Sequence, residues 1–309
     1  MGVPAAGGYP QYSGNIITPE FSLDLLDIFY CTSIYGEIST TEYTGDLEKC
    51  GDQITFWKKP KVAVHDYEKG GPITHDTIDS KPVTLVVDQA KQFSIEISQI
   101  DEKQICNWPS FRQAFLEDGA YELATKIDAS LLANMFANVD PNNQGTTAGL
   151  KSHSFNLGTT GNPVPITSSN VTQIFTYMNA VLNEQCAPRN GRFIVIPETV
   201  HAILLNSDLK AAYMTGMDTS PMINGRLPPK VAGFDVYVSN FVPQVIDNNA
   251  TAYQIVAGTK SATAFAAQID RTREIESPDS WNRYYQGLAV YGFKVLYPEG
   301  LAALYAKVG

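Results

Sequence analysis

The sequence predicts an α+β fold, in which an N-terminal arm and an extended β-hairpin precede one long helix and a mixed body. Three patterns predict it. Apolar residues alternate with polar ones between 51 and 103, as in antiparallel strands, and recur every fourth residue between 108 and 138, as in a helix. From 192 to 238, a buried strand, a helix and a second strand follow one another, which indicates an α/β body.

The composition indicates a globular protein that makes large contacts with other protein. The 309 residues are 44% hydrophobic, enough for one large or two ordinary domains. Only 17% are charged, below the roughly 25% of typical soluble domains. Aromatic residues reach 11%. A surface poor in charge and rich in aromatic rings favours protein partners.

The net charge of −10 excludes the basic footprint that tight nucleic-acid binding needs. Any contact with DNA is expected to be weak and unspecific. No run of 18 apolar residues occurs, and the Gly/Pro-rich start lacks a basic segment followed by an apolar one. We therefore predict neither a membrane span nor a signal peptide, and synthesis in a cytoplasm.

The first 30 residues are expected to form an arm and a short helix. Residues 1–17 hold too few periodic apolar residues to pack alone. Thr18 then supplies a helix cap and Pro19 the first helical position. The predicted helix ends near Tyr30.

The hairpin is predicted from four alternating runs that are separated by turn formers. The segment 66–81 between the inner runs is polar, so it cannot be a core element and is expected to reach outwards. The apolar members of the runs are Ile54 and Phe56; Val62 and Val64; Val83, Leu85 and Val87; and Phe93, Ile95 and Ile97. Asp101 and Glu102 are interpreted as a polar link to the next element.

The long helix is predicted to begin at a capping box formed by Ser110 and Gln113 and to run to about Asn138. It would be roughly 40 Å long at 1.5 Å per residue. Its apolar stripe is Leu123, Ile127, Leu131 and Met135, and Gly119 is its weak point.

The remaining elements follow a loop at 140–165. Ser169 is predicted to cap a second helix, and Phe193 opens a buried strand that Pro197 turns into another helix. Further strands are predicted at 234–238, 253–257, 263–269 and 287–296.

No catalytic motif occurs in the chain. We expect no catalytic residue, no cofactor and no metal. The histidines are scattered, although a fold-assembled site that uses one of them stays an alternative. They are His65, His75, His153 and His201. The four cysteines lack metal-ligand spacing and are interpreted as reduced thiols, a disulfide or cluster assembled by the fold being the alternative. They are Cys31, Cys50, Cys106 and Cys186.

A small basic cluster surrounds an aromatic residue near the hairpin. Lys58, Lys59 and Lys61 flank Trp57. Such a cluster can bind nucleic acid or protein, and the acidic surroundings favour protein.

Several segments, in this order, resemble the major capsid proteins of tailed double-stranded DNA bacteriophages, whose fold is shared with encapsulins and herpesvirus capsids. Residues 51–60 followed by Val-His-Asp-Tyr at 64–67 are similar to the strand pair of the family's extended loop. Residues 111–132 resemble its spine helix, 192–197 and 231–240 its axial domain, and 289–302 its last peripheral-domain strands.

The resemblance implies a division of the chain and a function. The implied parts are an arm with a short helix (1–50), an extended hairpin loop (51–105), the spine helix with part of the peripheral domain (106–168), an axial domain (169–270) and a return to the peripheral domain (271–309). The resemblance implies a non-enzymatic virion protein that assembles as hexamers and pentamers into an icosahedral shell around phage DNA. Portal and scaffolding proteins are implied partners, and a decoration protein is an optional one.

The expected intersubunit contacts lie on the arm and the hairpin, because these features leave strand edges and apolar surface uncovered in a single copy. The residues concerned are Trp57, Lys58, Lys59, Tyr67 and His75. Three other functions stay open on sequence alone. They are an encapsulin-type shell around an enzyme cargo, an enzyme of small oligomeric state, and a phage tail or adhesion module, although the last predicts more regular β spacing.

Overall fold

The structure, a computed structural model, describes residues 33–41, 53–59, 62, 64–66, 69–70, 75, 77, 82–105, 107–210, 227–247 and 249–309. Several predicted features lie outside these residues. They are the arm at 1–17, the helix from Thr18 to Tyr30, Lys61, Tyr67, and the cysteines Cys31, Cys50 and Cys106.

The described part of the chain alternates short helices with strands around one long helix. The helices are α1 (Tyr35–Ile38), α2 (Gln99–Gln104), α3 (Trp108–Ala137), α4 (Val171–Glu184) and α5 (Glu198–Leu205). The strands are β1 (Gln53–Trp57), β2 (Pro82–Val86), β3 (Gln89–Ser98), β4 (Val164–Ile166), β5 (Arg192–Ile196), β6 (Lys230–Val231), β7 (Phe234–Val238), β8 (Gln244–Asp247), β9 (Ala250–Thr259), β10 (Thr263–Glu276), β11 (Asn282–Val295) and β12 (Leu301–Val308). Short 3₁₀ turns lie at Pro141–Asn143, Asp208–Lys210, Lys260–Ala262 and Pro298–Gly300.

The long helix predicted from the four-residue repeat is α3. Three members of the predicted stripe, Ile127, Leu131 and Met135, are buried. The predicted start is wrong by one turn, because Asn107 occupies the cap position without a side-chain hydrogen bond. Ser110 therefore lies inside the first turn, and Pro109 marks the true beginning, where a proline costs no hydrogen bond.

The strands β10, β11 and β3 form a three-stranded antiparallel sheet in that order. The α3 helix packs against one face of this sheet. Gly119 belongs to that contact, since a Cβ there would lie 2.7 Å from the ring of Phe93 on β3. The glycine that weakens the helix therefore allows the helix to approach the sheet.

The body is a seven-stranded mixed sheet in the order β4-β12-β9-β5-β7-β6, with β8 paired to β9 alone. Every residue of β5 is buried, as expected of a central strand. The strand–helix–strand prediction over 192–238 is confirmed, because α5 begins after Pro197 and β5 runs parallel to β7. The main core lies between this sheet, α4 and the second half of α3.

The second predicted helix is α4, but its cap is not Ser169. Asn170 stands at the cap position, and its Oδ1 accepts a hydrogen bond from the Thr167 amide at 2.8 Å. At the other end Cys186 has a φ of 58°, and the Ala187 amide donates to the Leu182 carbonyl at 3.0 Å. This is a Schellman ending, in which a cysteine occupies the left-handed position that usually carries glycine.

Two further predictions are wrong. Val62 and Val64 were predicted to belong to a strand between β1 and β2, but neither residue lies in a strand. The strand β1 pairs directly with β2 instead. Asp101 and Glu102 were predicted as a link, but they belong to α2, whose cap is Ser98. Ser98 followed three residues later by an acid is a helix-start signal, which explains the difference.

Candidate intersubunit contact surfaces

The base of the hairpin is held to the body by one of its two faces. In the antiparallel pair of β1 and β2, Ile54 lies opposite Leu85, and Phe56 opposite Val83. Leu85 is completely buried against Ala264 and Leu296. The alternation that predicted these strands thus places one set of side chains on the body and the other set outwards.

A glycine lets the hairpin approach the three-stranded sheet closely. A Cβ at Gly292 of β11 would lie 2.3 Å from the carbonyl oxygen of Val86. No real Cβ atom sits that close to an oxygen, so a larger residue would displace the hairpin. The base of the hairpin is therefore fixed on the body.

The outward face of the hairpin carries apolar residues. Trp57 is 70% exposed, and Val64, beyond the strand, is 95% exposed. Opposite Gln53, Val86 is also exposed. Apolar side chains in this position gain stability only when another surface covers them.

The five residues predicted to contact a neighbour do not all point the same way. Trp57, Lys59 and His75 lie on the surface. Lys58 turns towards its own chain, where its Nζ lies 3.8 Å from Glu299 and 5.0 Å from the ring centre of Tyr297. Tyr67 lies outside the described residues. The structure therefore brings Trp57 and Lys58 to one groove at the hairpin base, which Leu296 and Tyr297 also line.

The outer face of the three-stranded sheet, opposite α3, is polar with a few apolar members. A ladder crosses it, in which Arg273 donates to Gln286 at 2.9 Å and Gln286 donates to Ser94 at 3.3 Å. Ile275 and Leu288 are exposed on the same face. Rigid faces of this kind can contact protein without a change of shape.

The end of this sheet is fixed by charge. The guanidinium of Arg283 lies 3.1 Å from Glu102, 3.1 Å from Glu274 and 3.0 Å from Glu276. Hydrogen bonding to Glu276, then to Tyr285, raises the pKa of Arg283 above its ordinary value. The network joins α2 to both long strands, so the turn between β10 and β11 has a rigid support.

Two exposed apolar sites were missed by sequence reasoning. Trp281, in the turn between β10 and β11, is 79% exposed, and Ile246 of β8 is 83% exposed. The turn residues Ser277 to Ser280 before Trp281 offered a signal, because a tryptophan that follows a turn has few chances of burial. No such signal marks Ile246, which reads like a core residue.

The described residues show no arrangement typical of a catalytic or metal site. No group of three or more His, Cys, Asp or Glu side chains could hold a metal ion in this part of the chain. His201 lies 3.2 Å from Glu198 on one turn of α5, where both residues reach the surface. None of the helices described is both long and apolar enough to cross a membrane.

Comparison with known proteins decides between the functions that these surfaces allow. A family model described as phage capsid protein matches residues 82–304. The chain belongs to this family. It is a structural protein of the virion capsid and not an enzyme, and the encapsulin alternative is not favoured.

The fold agrees with that assignment. The chain is similar to one from Mycobacterium phage Che8, at 23% identity and a TM-score of 0.75, with 94% of this chain and 98% of the other covered. It is also similar to a chain of the capsid of cyanophage P-SCSP1u, at 16% identity and a TM-score of 0.70, covering 95% and 94%. A chain of the mature capsid of bacteriophage PhiM1 gives 13% identity and a TM-score of 0.68, covering 94% and 92%. No curated protein matches the chain. The predicted tailed-phage capsid fold is confirmed.

Proposed function

We propose that this capsid protein assembles as hexamers and pentamers into an icosahedral head that encloses phage DNA, and that its hairpin lies on a neighbouring copy. The observation that carries the proposal is the hairpin, whose base is fixed while Trp57 on its outward face, and Val64 after the first strand, are exposed. A fixed hairpin base with exposed apolar residues stabilises an assembly when it covers a neighbour, because each copy then gives and receives one contact.

The proposed contact residues on the hairpin are Trp57, Lys58, Lys59, Tyr67 and His75. Trp57 has the largest apolar surface among them and would form the centre of the contact. Lys58 supports it from within the chain through Glu299 and Tyr297. Because an exposed ion pair is worth at most about 1 kcal/mol, Lys58 could exchange this partner for one on a neighbour at little cost.

The proposed division of the chain follows the fold. Residues 106–168, which hold α3, would form the spine helix and part of the peripheral domain, and residues 169–270 the axial domain at the centre of each hexamer or pentamer. Residues 271–309 return from the axial to the peripheral domain and also supply β12 to the body sheet. Residues 51–105 would supply the hairpin loop, and 1–50 an arm that orders on a neighbour.

The other proposed partners follow from the function. A shell closed by one kind of subunit has no passage for DNA, so a portal protein is needed at one position. Scaffolding protein would select the curvature during assembly, and a decoration protein could bind the completed outer face. The net charge of −10 would limit DNA to weak, unspecific contact with the inner wall.

The test is electron microscopy of the purified protein and of a variant that lacks residues 68–80. We expect closed shells tens of nanometres across from the wild type, and folded subunits without shells from the deletion. A variant in which a Gly/Ser linker of equal length replaces residues 68–80 keeps the length of the loop but removes its side chains. It therefore separates an effect of loop length from an effect of side-chain contacts. Normal shells from the deletion would refute the role of the hairpin, and a wild type that stays a small oligomer would refute self-assembly.

The contents of the particles test the remaining part of the proposal. Particles from infected cells should contain nuclease-protected DNA. Particles that enclose protein cargo and no DNA would instead support an encapsulin-type shell.

A further inference from the structure

We propose that the free edge of β8 is a second contact surface, at which the backbone of one copy pairs with the backbone of another copy of this chain. The inference rests on the proposed self-assembly and concerns a surface far from the hairpin. Its central residues are Val245 and Ile246.

The side chains of β8 are exposed on both faces of the strand. Successive residues of a strand point to opposite sides, and here Val245 is 42% exposed and Ile246 is 83% exposed. Gln244 before them is exposed as well. Elsewhere in the body sheet, β5 and most of β12 are buried. Thus, among the residues that the structure describes, none gives β8 the cover that the other apolar strands of this sheet receive.

The backbone of β8 is also paired on one side alone. Its four residues pair with Ala250 to Tyr253 of β9, and no other described strand lies along its second edge. Alternate amide and carbonyl groups of β8 therefore face away from the sheet. An uncovered strand edge with apolar side chains is a template for another chain, and stable proteins normally cover or charge it.

The strand is held in place before any partner arrives. Asp247 accepts a hydrogen bond from the Gly161 amide at 2.6 Å, and the Gln254 amide donates to the Pro243 carbonyl at 2.8 Å. Asn249 closes the turn to β9 with a φ of 61°. A fixed edge loses little conformational entropy on pairing, so most of the energy of new hydrogen bonds would stabilise the contact.

The position of β8 makes a second copy the fitting occupant. The ten residues of β9 lead from the β8 turn to Lys260–Ala262, where β10 begins, a distance of roughly 33 Å for an extended strand. The edge of β8 therefore lies at the opposite end of the body from the three-stranded sheet and the hairpin. A closed shell needs at least two distinct contact surfaces on each subunit, and the hairpin supplies one of them.

The chemistry of the edge disfavours nucleic acid as the occupant. The sequence of β8 is Gln-Val-Ile-Asp, with no basic residue and one acid. Phosphate groups need cationic partners, which this strand lacks. Its apolar side chains and free backbone groups suit another protein backbone, as in the addition of a strand to a sheet.

Hydrogen exchange of wild-type shells and of unassembled subunits tests the proposal directly. We expect the amides of residues 244–247 that face away from β9 to exchange at least tenfold more slowly in shells, while the amides of the same strand that already bond to β9 change less. Equal exchange rates of the outward-facing amides of β8 in the two samples would overturn the proposal. This result would leave the shell itself intact, so it is distinguishable from a failure of self-assembly.

Two substitutions provide the matching assembly test. Ile246→Asp places a charge on the edge and should prevent rings and shells, while Ile246→Val keeps the shape and should permit them. Circular dichroism of both variants should match that of the wild type, because Ile246 contributes little to the core. Normal shells from Ile246→Asp would contradict the contact. If the wild type never forms shells or rings, both this proposal and the proposed function fail.

Discussion

The carboxylate of Asp128 in the second half of α3 accepts a hydrogen bond from the backbone amide of Ile34 at 3.0 Å, although the two residues are 94 positions apart. The same carboxylate accepts from the Tyr35 amide at 2.9 Å and from the Ser33 hydroxyl at 3.2 Å. It thereby caps α1 from another helix. Ile34 is buried, so this cap and the core together hold the segment that leads from the predicted arm.

Replacing Asp128 with alanine should release this segment. Asp128→Ala leaves two backbone amides of α1 without an acceptor, at a cost of about 1–3 kcal/mol in the free energy of unfolding. Urea unfolding of unassembled subunits measures it. Ser33→Ala removes one partly buried donor to the carboxylate and leaves both amides their acceptor, so it serves as control and should cost less than about 1 kcal/mol. Equal effects of the two variants would show that the cap contributes nothing.

The stability of the subunit should also depend on pH through the titration of Asp128. Burial raises the pKa of Asp128 above its ordinary value of 3.8, and the bonds from Ile34, Ser33 and Tyr35 offset only part of that rise. The folded state then keeps the proton to a higher pH than the unfolded chain. The stability gained from this proton is complete below pH 3.8 and is lost as the pH rises through the folded-state pKa.

The variant Asp128→Asn tests this sign, since an amide does not titrate. We expect the free energy of unfolding of the wild type, minus that of the variant, to fall as the pH rises above 3.8. Urea unfolding of both proteins at a series of pH values gives this difference. A difference that stays constant, or grows with pH, would mean that folding does not raise the pKa of Asp128.

The sequence could predict elements but not their partners, and the hairpin shows why. Alternation identified both β1 and β2, because the period of a strand is a local property. The same alternation at Val62 and Val64 belongs to no strand in the described residues, since only a neighbouring backbone makes an extended segment a strand. Likewise, β3 pairs with β11, and nothing local links Phe93 to Gly287.

The exposed apolar side chains were predictable only where polar neighbours marked them. Trp57 stood among lysines, and the structure places it on the surface. Ile246 stands between an apolar and a polar residue, like many core residues. Its exposure follows from strand pairing, because β8 pairs with β9 alone among the described strands. Nothing local marks Asp128 as buried, because its burial depends on a segment that is distant in sequence. Such features follow from tertiary packing rather than from periodicity.

Gly292 offers a test of the hairpin base. Gly292→Ala places a Cβ 2.3 Å from the Val86 carbonyl oxygen, so the hairpin must shift, and overpacking of this kind costs about 1–3 kcal/mol. Urea unfolding should show this loss, and proteolysis between 58 and 81 should be faster. Gly36→Ala is the matched control, because no atom lies within 4 Å of its added Cβ. If both glycine variants behave alike, the close approach does not hold the hairpin.

Arg283 offers a test of the charged network at the end of the three-stranded sheet. Arg283→Ala leaves Glu102, whose side chain is nearly buried, without its cation, and we expect a loss of about 1.5–3 kcal/mol. Arg112 forms a single, more exposed ion pair with Glu274 at 3.5 Å. Arg112→Ala should therefore cost less than about 1 kcal/mol in the same unfolding measurement. A larger effect at Arg112 would place the support of the sheet on α3 instead.

A buried arginine organises the body in a way that lysine cannot imitate. Arg192 at the start of β5 is almost completely buried, and it donates to the carbonyls of Pro188 and Ala187, each at 2.8 Å, and to the side chain of Asn179 on α4. Burial lowers the pKa of Arg192 below its ordinary value. Its planar guanidinium thus bonds at the same time to two acceptors that follow α4 and to one within α4.

The substitution Arg192→Lys keeps the charge but removes the fork. A lysine ammonium at the same depth reaches fewer of these acceptors and is more strongly hydrated, so we expect a loss of about 2–4 kcal/mol in the free energy of unfolding. Arg189→Lys, three residues earlier and exposed, is the matched control and should change stability by less than about 0.5 kcal/mol. Urea unfolding followed by circular dichroism compares the two. The strand β5 lies beside β9 at the centre of the body sheet. If Arg192→Lys unfolded at the same urea concentration as the wild type, the apolar packing of β5 alone would hold the body.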